Sequence, residues 1–79
     1  MLEEIIRLLR EIVDDLADVE LNAETSLIAS GNMDSFEVVT LIMELEKVFS
    51  ISIDLEDLSL EDFETPGNIV HMIARRQAR

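Results

Sequence analysis

Apolar residues recur at intervals of three and four positions along the first part of the chain, Leu2–Leu16. This spacing places them on one side of an α-helix, because side chains three and four residues apart lie above one another. The stripe consists of Ile5, Leu8, Leu9, Ile12, Val13 and Leu16. We therefore expect a first helix over Leu2–Leu16 that packs this face into a core. Asp14, Asp15 and Asp18 oppose the helix dipole near its end, where we expect the helix to fray.

A second helix is predicted over Ser35–Phe49. Asp34 precedes it as a helix cap, and Glu37 follows three residues later, as in a capping box. The stripe expected to face the first helix consists of Val38, Leu41, Ile42, Leu45 and Phe49. A second stripe holds three further apolar residues, Phe36, Val39 and Met43. This second stripe fits an exposed docking surface as well as it fits additional core, and the pattern favours neither.

The segment between these helices, Val19–Met33, mixes polar residues with isolated apolar ones and is predicted to be a long loop. Leu27 and Ile28 are expected to anchor this loop to the core. Loops of this length in a small domain are usually functional or disordered. A second loop is expected over residues 51–55, where apolar and polar residues alternate but no partner strand exists.

The last third of the chain predicts one short helix and one longer helix. Ser59–Phe63 offers a single helical turn with Ser59 as its cap. Thr65 is expected to cap a last helix that starts at Pro66, and its basic end, Arg75 and Arg76, suits the helix dipole. The predicted fold is all-α, a small bundle of three longer helices plus one short helix in a single domain over residues 1–79.

The charge balance limits the partners of this domain. The 79 residues include 18 acidic and 6 basic ones, a formal net charge of −12. This charge repels nucleic acids and anionic lipid surfaces. The apolar content of 48% is too high for a disordered acidic tail. Charges interrupt the apolar residues at the N-terminus, so we expect neither a signal peptide nor a membrane span, and we expect a cytoplasmic monomer.

The usual signs of an enzyme active site are missing from the sequence. There is no cysteine, His71 is the only histidine, and Gly31 and Gly67 do not form a phosphate-binding loop. We therefore expect no catalytic residue, and His71 is expected to be a surface or partly packed residue. A calcium site in the acidic segment 54–64 would need a central glycine that this segment lacks, so a solvated acidic rim is the favoured interpretation.

Ser35 is the residue that most needs an explanation. A serine at the start of a helix is usually a cap, and an Asp-Ser pair is common. Here, however, a long loop ends in Gly31-Asn32-Met33, and Asp34-Ser35-Phe36 then opens an amphipathic helix in a small, acidic, cysteine-free chain.

This arrangement resembles the acyl carrier proteins, whose phosphopantetheine site is a serine in an Asp-Ser-Leu-like motif at the start of the second helix. The resemblance extends through residues 37–49 and through Phe63-Glu64-Thr65-Pro66 into the last helix, and covers nearly the whole chain. It implies a single acyl carrier domain with 4′-phosphopantetheine attached to Ser35, which supplies the thiol that the chain lacks. It also implies that Asp34 helps a phosphopantetheinyl transferase to place its metal ion.

The same resemblance implies a set of residues that contact partner enzymes. Phe36 and Met43 would make apolar contacts. Basic patches on acyl- or aminoacyl-loading and acyl-processing enzymes would meet three acidic residues, Glu37, Glu44 and Glu46. Thr40 and Lys47 stand where typical fatty-acid carriers have acidic residues, which implies a different partner set.

The cargo is not determined by these residues. Phe36 and the segment Phe63-x-Thr65-Pro66 look closer to D-alanyl carrier proteins and to stand-alone carriers of specialised pathways. The alternative function is a non-catalytic acidic helical module that binds proteins without a prosthetic group, in which Ser35 is only a cap.

The uneven charge leads to a first prediction. Residues 34–64 contain ten acidic residues and one lysine, a net charge of −9. Salt screens this repulsion, so adding sodium chloride or magnesium chloride should raise the melting temperature measured by circular dichroism. A melting temperature that stays flat or falls with added salt would contradict this expectation.

Overall fold

The computed structural model describes residues 1–77, except for the side chain of Leu55. It contains three α-helices: α1 (Leu2–Ile12), α2 (Ser35–Phe49) and α3 (Pro66–Gln77). Short 3₁₀ turns occupy Asp14–Leu16, Leu55–Asp57 and Leu60–Phe63. Because residues 1–77 contain no strand, the all-α prediction is confirmed. The expected short fourth helix is a 3₁₀ turn, and the predicted domain limit at residue 79 lies outside the described residues.

The first helix is shorter than its apolar stripe. It ends at Ile12, Val13 is extended (φ −111°, ψ 103°), and a 3₁₀ turn follows. The prediction of a helix that reaches Leu16 and frays is therefore wrong. The new turn places Asp14 and Asp15 at its own start, where the backbone dipoles favour negative charge, rather than at the unfavourable end of α1.

Buried apolar residues from all three helices form one core. Ile5 and Leu9 of α1 are fully buried, as are Leu41 and Leu45 of α2 and Ile69 of α3. The stripe expected to lie in the core from α2 is confirmed: its first four members are buried and Phe49 packs against the core. Since 16 apolar residues form this core and none of the described buried residues is charged, the fold depends on apolar packing.

The long loop between α1 and α2 is confirmed, and it is held to the core by its own apolar residues. Leu27 is fully buried, and Ile28 packs against the core. Met33 is also buried, and its N–H donates to the carbonyl of Leu27 at 2.8 Å. The loop is therefore tied down immediately before α2 begins.

The start of α3 passes close to the backbone of this loop. Thr65 Oγ1 accepts from the N–H of Asn68 at 3.1 Å, which confirms the predicted cap. The N–H of Gly67 donates to the carbonyl of Ala23 at 2.9 Å. A Cβ atom on Gly67 would lie 2.8 Å from that carbonyl oxygen, so only glycine allows this approach.

Glu64 makes the other main contact with the loop. Its carbonyl accepts from the N–H of Leu27 at 2.7 Å. Its carboxylate accepts from the hydroxyl of Ser26 and, at 3.0 Å, from the N–H of Ala29. The hydrogen bond from Ser26, followed by that from Ala29, lowers the pKa of Glu64 below its ordinary value of 4.5.

No helix within residues 1–77 combines the length and the apolar character that crossing a membrane requires.

Replacing Gly67 with alanine should destabilise the domain, although alanine is the better helix former. The new Cβ would push against the backbone carbonyl of Ala23, and overpacking of this kind costs about 1–3 kcal/mol. Urea denaturation should show a midpoint below that of the unmodified chain. His71→Ala, at an exposed position of the same helix, is the control and should change stability by less than about 0.5 kcal/mol. An unchanged midpoint for Gly67→Ala would contradict the close approach.

Glu64→Gln should make stability less dependent on pH. A carboxylate whose pKa is lowered in the folded state stabilises the fold above its unfolded pKa, and this contribution disappears as pH falls through the folded pKa. The unmodified chain should therefore be more stable than Glu64→Gln at neutral pH, and the difference in unfolding free energy should shrink below pH 4.5. Urea denaturation of both chains at a series of pH values from 7 downward measures this difference in unfolding free energy. A difference that grows on acidification would contradict the assigned hydrogen bonds.

Candidate functional site

A reciprocal capping box opens α2, and it leaves Ser35 free. Asp34 Oδ1 accepts from the N–H of Glu37 at 2.9 Å, and Glu37 Oε1 accepts from the N–H of Asp34 at 3.0 Å. The box predicted for these residues is confirmed. Ser35 is thus the first residue of the helix rather than its cap. Its side chain is exposed, and the described residues 1–77 make no hydrogen bond to its hydroxyl.

An apolar groove begins beside Ser35. It has a volume of about 250 Å³ and lies between the first half of α2 and the segment that ends at Phe63. The lining residues are Ser35, Val38, Val39, Ile42, Leu58, Ser59, Leu60 and Phe63. An exposed hydroxyl therefore lies beside a groove that can shelter an apolar or partly apolar group.

The second apolar stripe of α2 is exposed. Phe36 is 83% exposed, Met43 57% and Val39 50%. Leu60, on the opposite side of the groove, is 63% exposed. The question that the sequence left open is answered in favour of a surface stripe rather than core. Exposed large apolar residues next to one another are typical of a protein interaction site.

The acidic residues around this stripe differ in how freely their side chains reach solvent. Glu37 is occupied by the capping box. Glu46 is partly buried, and its carboxylate accepts from the N–H of Ile53 at 3.0 Å. Glu44 pairs with the exposed Lys47 at 3.6 Å. All three residues are acidic, in a chain of formal net charge −12, so they contribute to a negative field at this surface.

Thr40 lies on the same exposed side of α2 as the apolar stripe. Its hydroxyl donates to the carbonyl of Phe36 at 3.1 Å. Thr40 therefore adds no charge to the surface, and its hydroxyl is engaged with the helix backbone.

The far wall of the groove was not identified in the sequence. Leu58, Ser59, Leu60 and Phe63 lie in irregular segments and a 3₁₀ turn, so no helical periodicity marks them. The available signals were the single helical turn predicted over Ser59–Phe63 and the position of Phe63 directly before the Glu64-Thr65-Pro66 helix start, and neither indicated a groove. Asp62 Oδ2 accepts from the N–H of Ser59 at 3.4 Å and Asp62 Oδ1 from Arg75 at 3.2 Å, which hold this wall in place.

The part of the chain that the structure describes holds no candidate metal site. No cluster of three or more histidine, cysteine, aspartate or glutamate side chains there has a geometry that could hold a metal ion. His71 is exposed on α3.

A family model described as the phosphopantetheine attachment site matches residues 3–73. The D-alanyl carrier protein of Lactobacillus delbrueckii subsp. bulgaricus is 30% identical over 73 residues, covering 86% of this chain and 91% of that protein. The D-alanyl carrier protein of Staphylococcus xylosus is 27% identical over 71 residues, covering 90% of each.

A solved structure also shares the fold. The solution NMR structure of a holo acyl carrier protein from Nitrosomonas europaea matches with a TM-score of 0.84 and 27% identity, covering 99% of this chain and 96% of that one. Because the family model spans most of the sequence, this chain belongs to the phosphopantetheine attachment site family and is a non-catalytic acyl carrier protein with covalently bound 4′-phosphopantetheine.

Proposed function

We propose that Ser35 is the attachment residue, and that the chain presents an acyl or aminoacyl thioester to partner enzymes of lipid or secondary-metabolite synthesis. The observation that carries this proposal is the division of roles at the start of α2. Asp34 and Glu37 satisfy the helix start by themselves. The exposed hydroxyl of Ser35 is therefore not needed for capping.

The attachment step is a phosphoryl transfer in which Ser35 is the nucleophile. Its Oγ would form a bond to the pantetheine phosphorus of coenzyme A, the phosphoanhydride bond would break, and adenosine 3′,5′-bisphosphate would leave. The hydroxyl proton would pass to a base of the phosphopantetheinyl transferase, whose magnesium ion offsets the phosphate charge. Asp34, next to Ser35, is proposed to help place that ion.

The start of α2 suits the phosphodiester that results. The first turn of a helix leaves backbone N–H groups without intrahelical partners and carries a partial positive charge. These groups offset part of the repulsion from Asp34 and Glu37. When bound, the prosthetic group supplies the thiol that carries the cargo, because the chain has no cysteine.

The groove favours a small cargo. Its volume of about 250 Å³ lies below the range of about 300–1,000 Å³ for ordinary ligand pockets. The relatives named D-alanyl carrier proteins also support a small cargo, an aminoacyl or short acyl group.

The exposed stripe is proposed to meet the transferase and the loading enzymes in the cytoplasm. Phe36 and Met43 would enter apolar contacts, whereas Glu37, Glu44 and Glu46 would attract basic patches and raise the association rate. The neutral Thr40 and the basic Lys47 would reduce attraction to enzymes that require a fully acidic surface.

Intact mass after incubation with coenzyme A, magnesium and a broad-specificity transferase tests the attachment site. The unmodified chain should gain the mass of one phosphopantetheine, and Ser35→Ala should gain nothing, because it lacks the nucleophile. Ser52→Ala, which removes another exposed serine, should be modified normally. Modification that persists in Ser35→Ala would refute the assignment.

The rival function, an interaction module without a prosthetic group, predicts a different result for Ser35→Asp. Because Asp34 is the cap, and because an aspartate in the first turn suits the helix dipole, a module would keep its partner binding and its function. A carrier would lose its function completely with this substitution. Complementation of a strain that lacks the native protein therefore separates the two functions.

A further inference from the structure

One of the residues that anchor the loop before Ser35 lies far away in the sequence. Glu64 accepts three hydrogen bonds from this loop: from Leu27 N–H to its carbonyl, and from Ser26 and Ala29 to its carboxylate. The side-chain contacts join residues that are 35 and 38 positions apart. A loop without regular structure needs such partners for its polar backbone groups.

Direct contacts continue from this anchor to the start of α2. The carbonyl of Leu27 accepts from Met33 N–H at 2.8 Å, and both side chains are buried. Met33 is followed at once by Asp34, the cap of α2, and then by Ser35. Each step in this path is a hydrogen bond, a buried side chain or a covalent bond, so an unbroken series of contacts connects Glu64 with Ser35.

Glu64 is also covalently joined to the other side of the groove. The preceding residue, Phe63, is 1% exposed and lines the groove that Ser35 borders. One residue therefore ties the loop before Ser35 to the wall opposite Ser35. It makes this connection without contacting Ser35 itself.

We propose that Glu64 is a positioning residue for the modification reaction, and that its carboxylate holds the loop over residues 26–33 so that Ser35 is presented in one place relative to the groove. This inference rests on the proposed attachment at Ser35. An attacking group that is already held in position loses little conformational entropy when the transferase binds. The binding free energy of the carrier to the transferase is therefore not reduced by the cost of ordering that group.

The matched control is Glu61, three residues earlier. Its side chain is exposed, and its described hydrogen bonds use the backbone carbonyl. Glu61→Ala and Glu64→Ala therefore remove the same charge from the same turn, but only Glu64→Ala removes the contacts with the loop.

Amide hydrogen exchange measures the anchor directly in the full chain. In Glu64→Ala the amides of Ala29 and Met33 should exchange about two- to tenfold faster, as expected for a lost hydrogen bond. The core amides of Leu41 and Ile69 exchange through global unfolding, so they should accelerate only by the smaller factor that the loss of stability in urea predicts. Equal acceleration of the loop amides and the core amides would overturn the inference, because it would indicate general destabilisation alone.

Transfer kinetics with coenzyme A and a phosphopantetheinyl transferase then test the consequence. If only a fraction of Glu64→Ala molecules presents Ser35 correctly, KM for the carrier rises by the reciprocal of that fraction while kcat is kept. We expect a KM increase of about threefold or more for Glu64→Ala, and wild-type values for Glu61→Ala. Glu64→Gln keeps one acceptor oxygen and should fall between the two, provided that it is folded by circular dichroism.

The outcomes separate this inference from the proposed function. Wild-type KM in Glu64→Ala, with Ser35 still modified, would overturn the positioning role and leave the attachment site intact. A Glu64→Gln variant no better than Glu64→Ala would also count against it, since the acceptor oxygen is the group held responsible. A natural chain that gains no phosphopantetheine at Ser35 would instead refute the proposed function, and the positioning role with it.

Discussion

The reciprocal pair of hydrogen bonds between Asp34 and Glu37 is the interaction on which the site at Ser35 depends. Each residue satisfies a backbone N–H of the other at 2.9–3.0 Å, so α2 begins at a defined residue. Because the cap is complete without Ser35, the serine hydroxyl is available for chemistry. A serine one position earlier would have been engaged as the cap.

A defined start for α2 is useful only if the loop before it is also defined. That loop has neither a helix nor a strand to satisfy its backbone, and its order depends on a few long-range contacts. Leu27 and Met33 contribute buried apolar side chains, Glu64 contributes acceptors, and Gly67 lets the backbone of Ala23 approach α3. The irregular part of the chain is therefore as closely specified around these residues as the helices are.

The surface near Ser35 combines two properties that usually exclude each other. Carboxylates make it strongly negative, yet Phe36 and Met43 expose apolar area beside a groove with apolar walls. For the partner enzymes proposed above, charge would accelerate the approach of a basic surface, and apolar contact would then retain it. Glu37 and Glu46 contribute to the negative field and also accept hydrogen bonds from the backbone. These two residues therefore help to stabilise the same surface that they charge.

Local pattern determined much of this protein. Helical periodicity and capping residues predicted α2 and the start of α3 at the residues where the structure has them, and the motif around Ser35 indicated a carrier. The end of α1 was wrong because the apolar stripe continues through the 3₁₀ turn at Asp14–Leu16, so periodicity alone could not show the break. Periodicity, caps and motifs involve residues only a few positions apart, so they can be recognised in a single sequence.

Tertiary structure decided the remainder. The apolar stripe with Phe36 and Met43 had the same pattern whether it was core or surface, and only the packing of three helices showed that it is exposed. The groove wall at Phe63 and the anchor at Glu64 join residues far apart in the chain. No local spacing in the sequence encodes these long-range contacts, because they form only when core packing brings distant loops together.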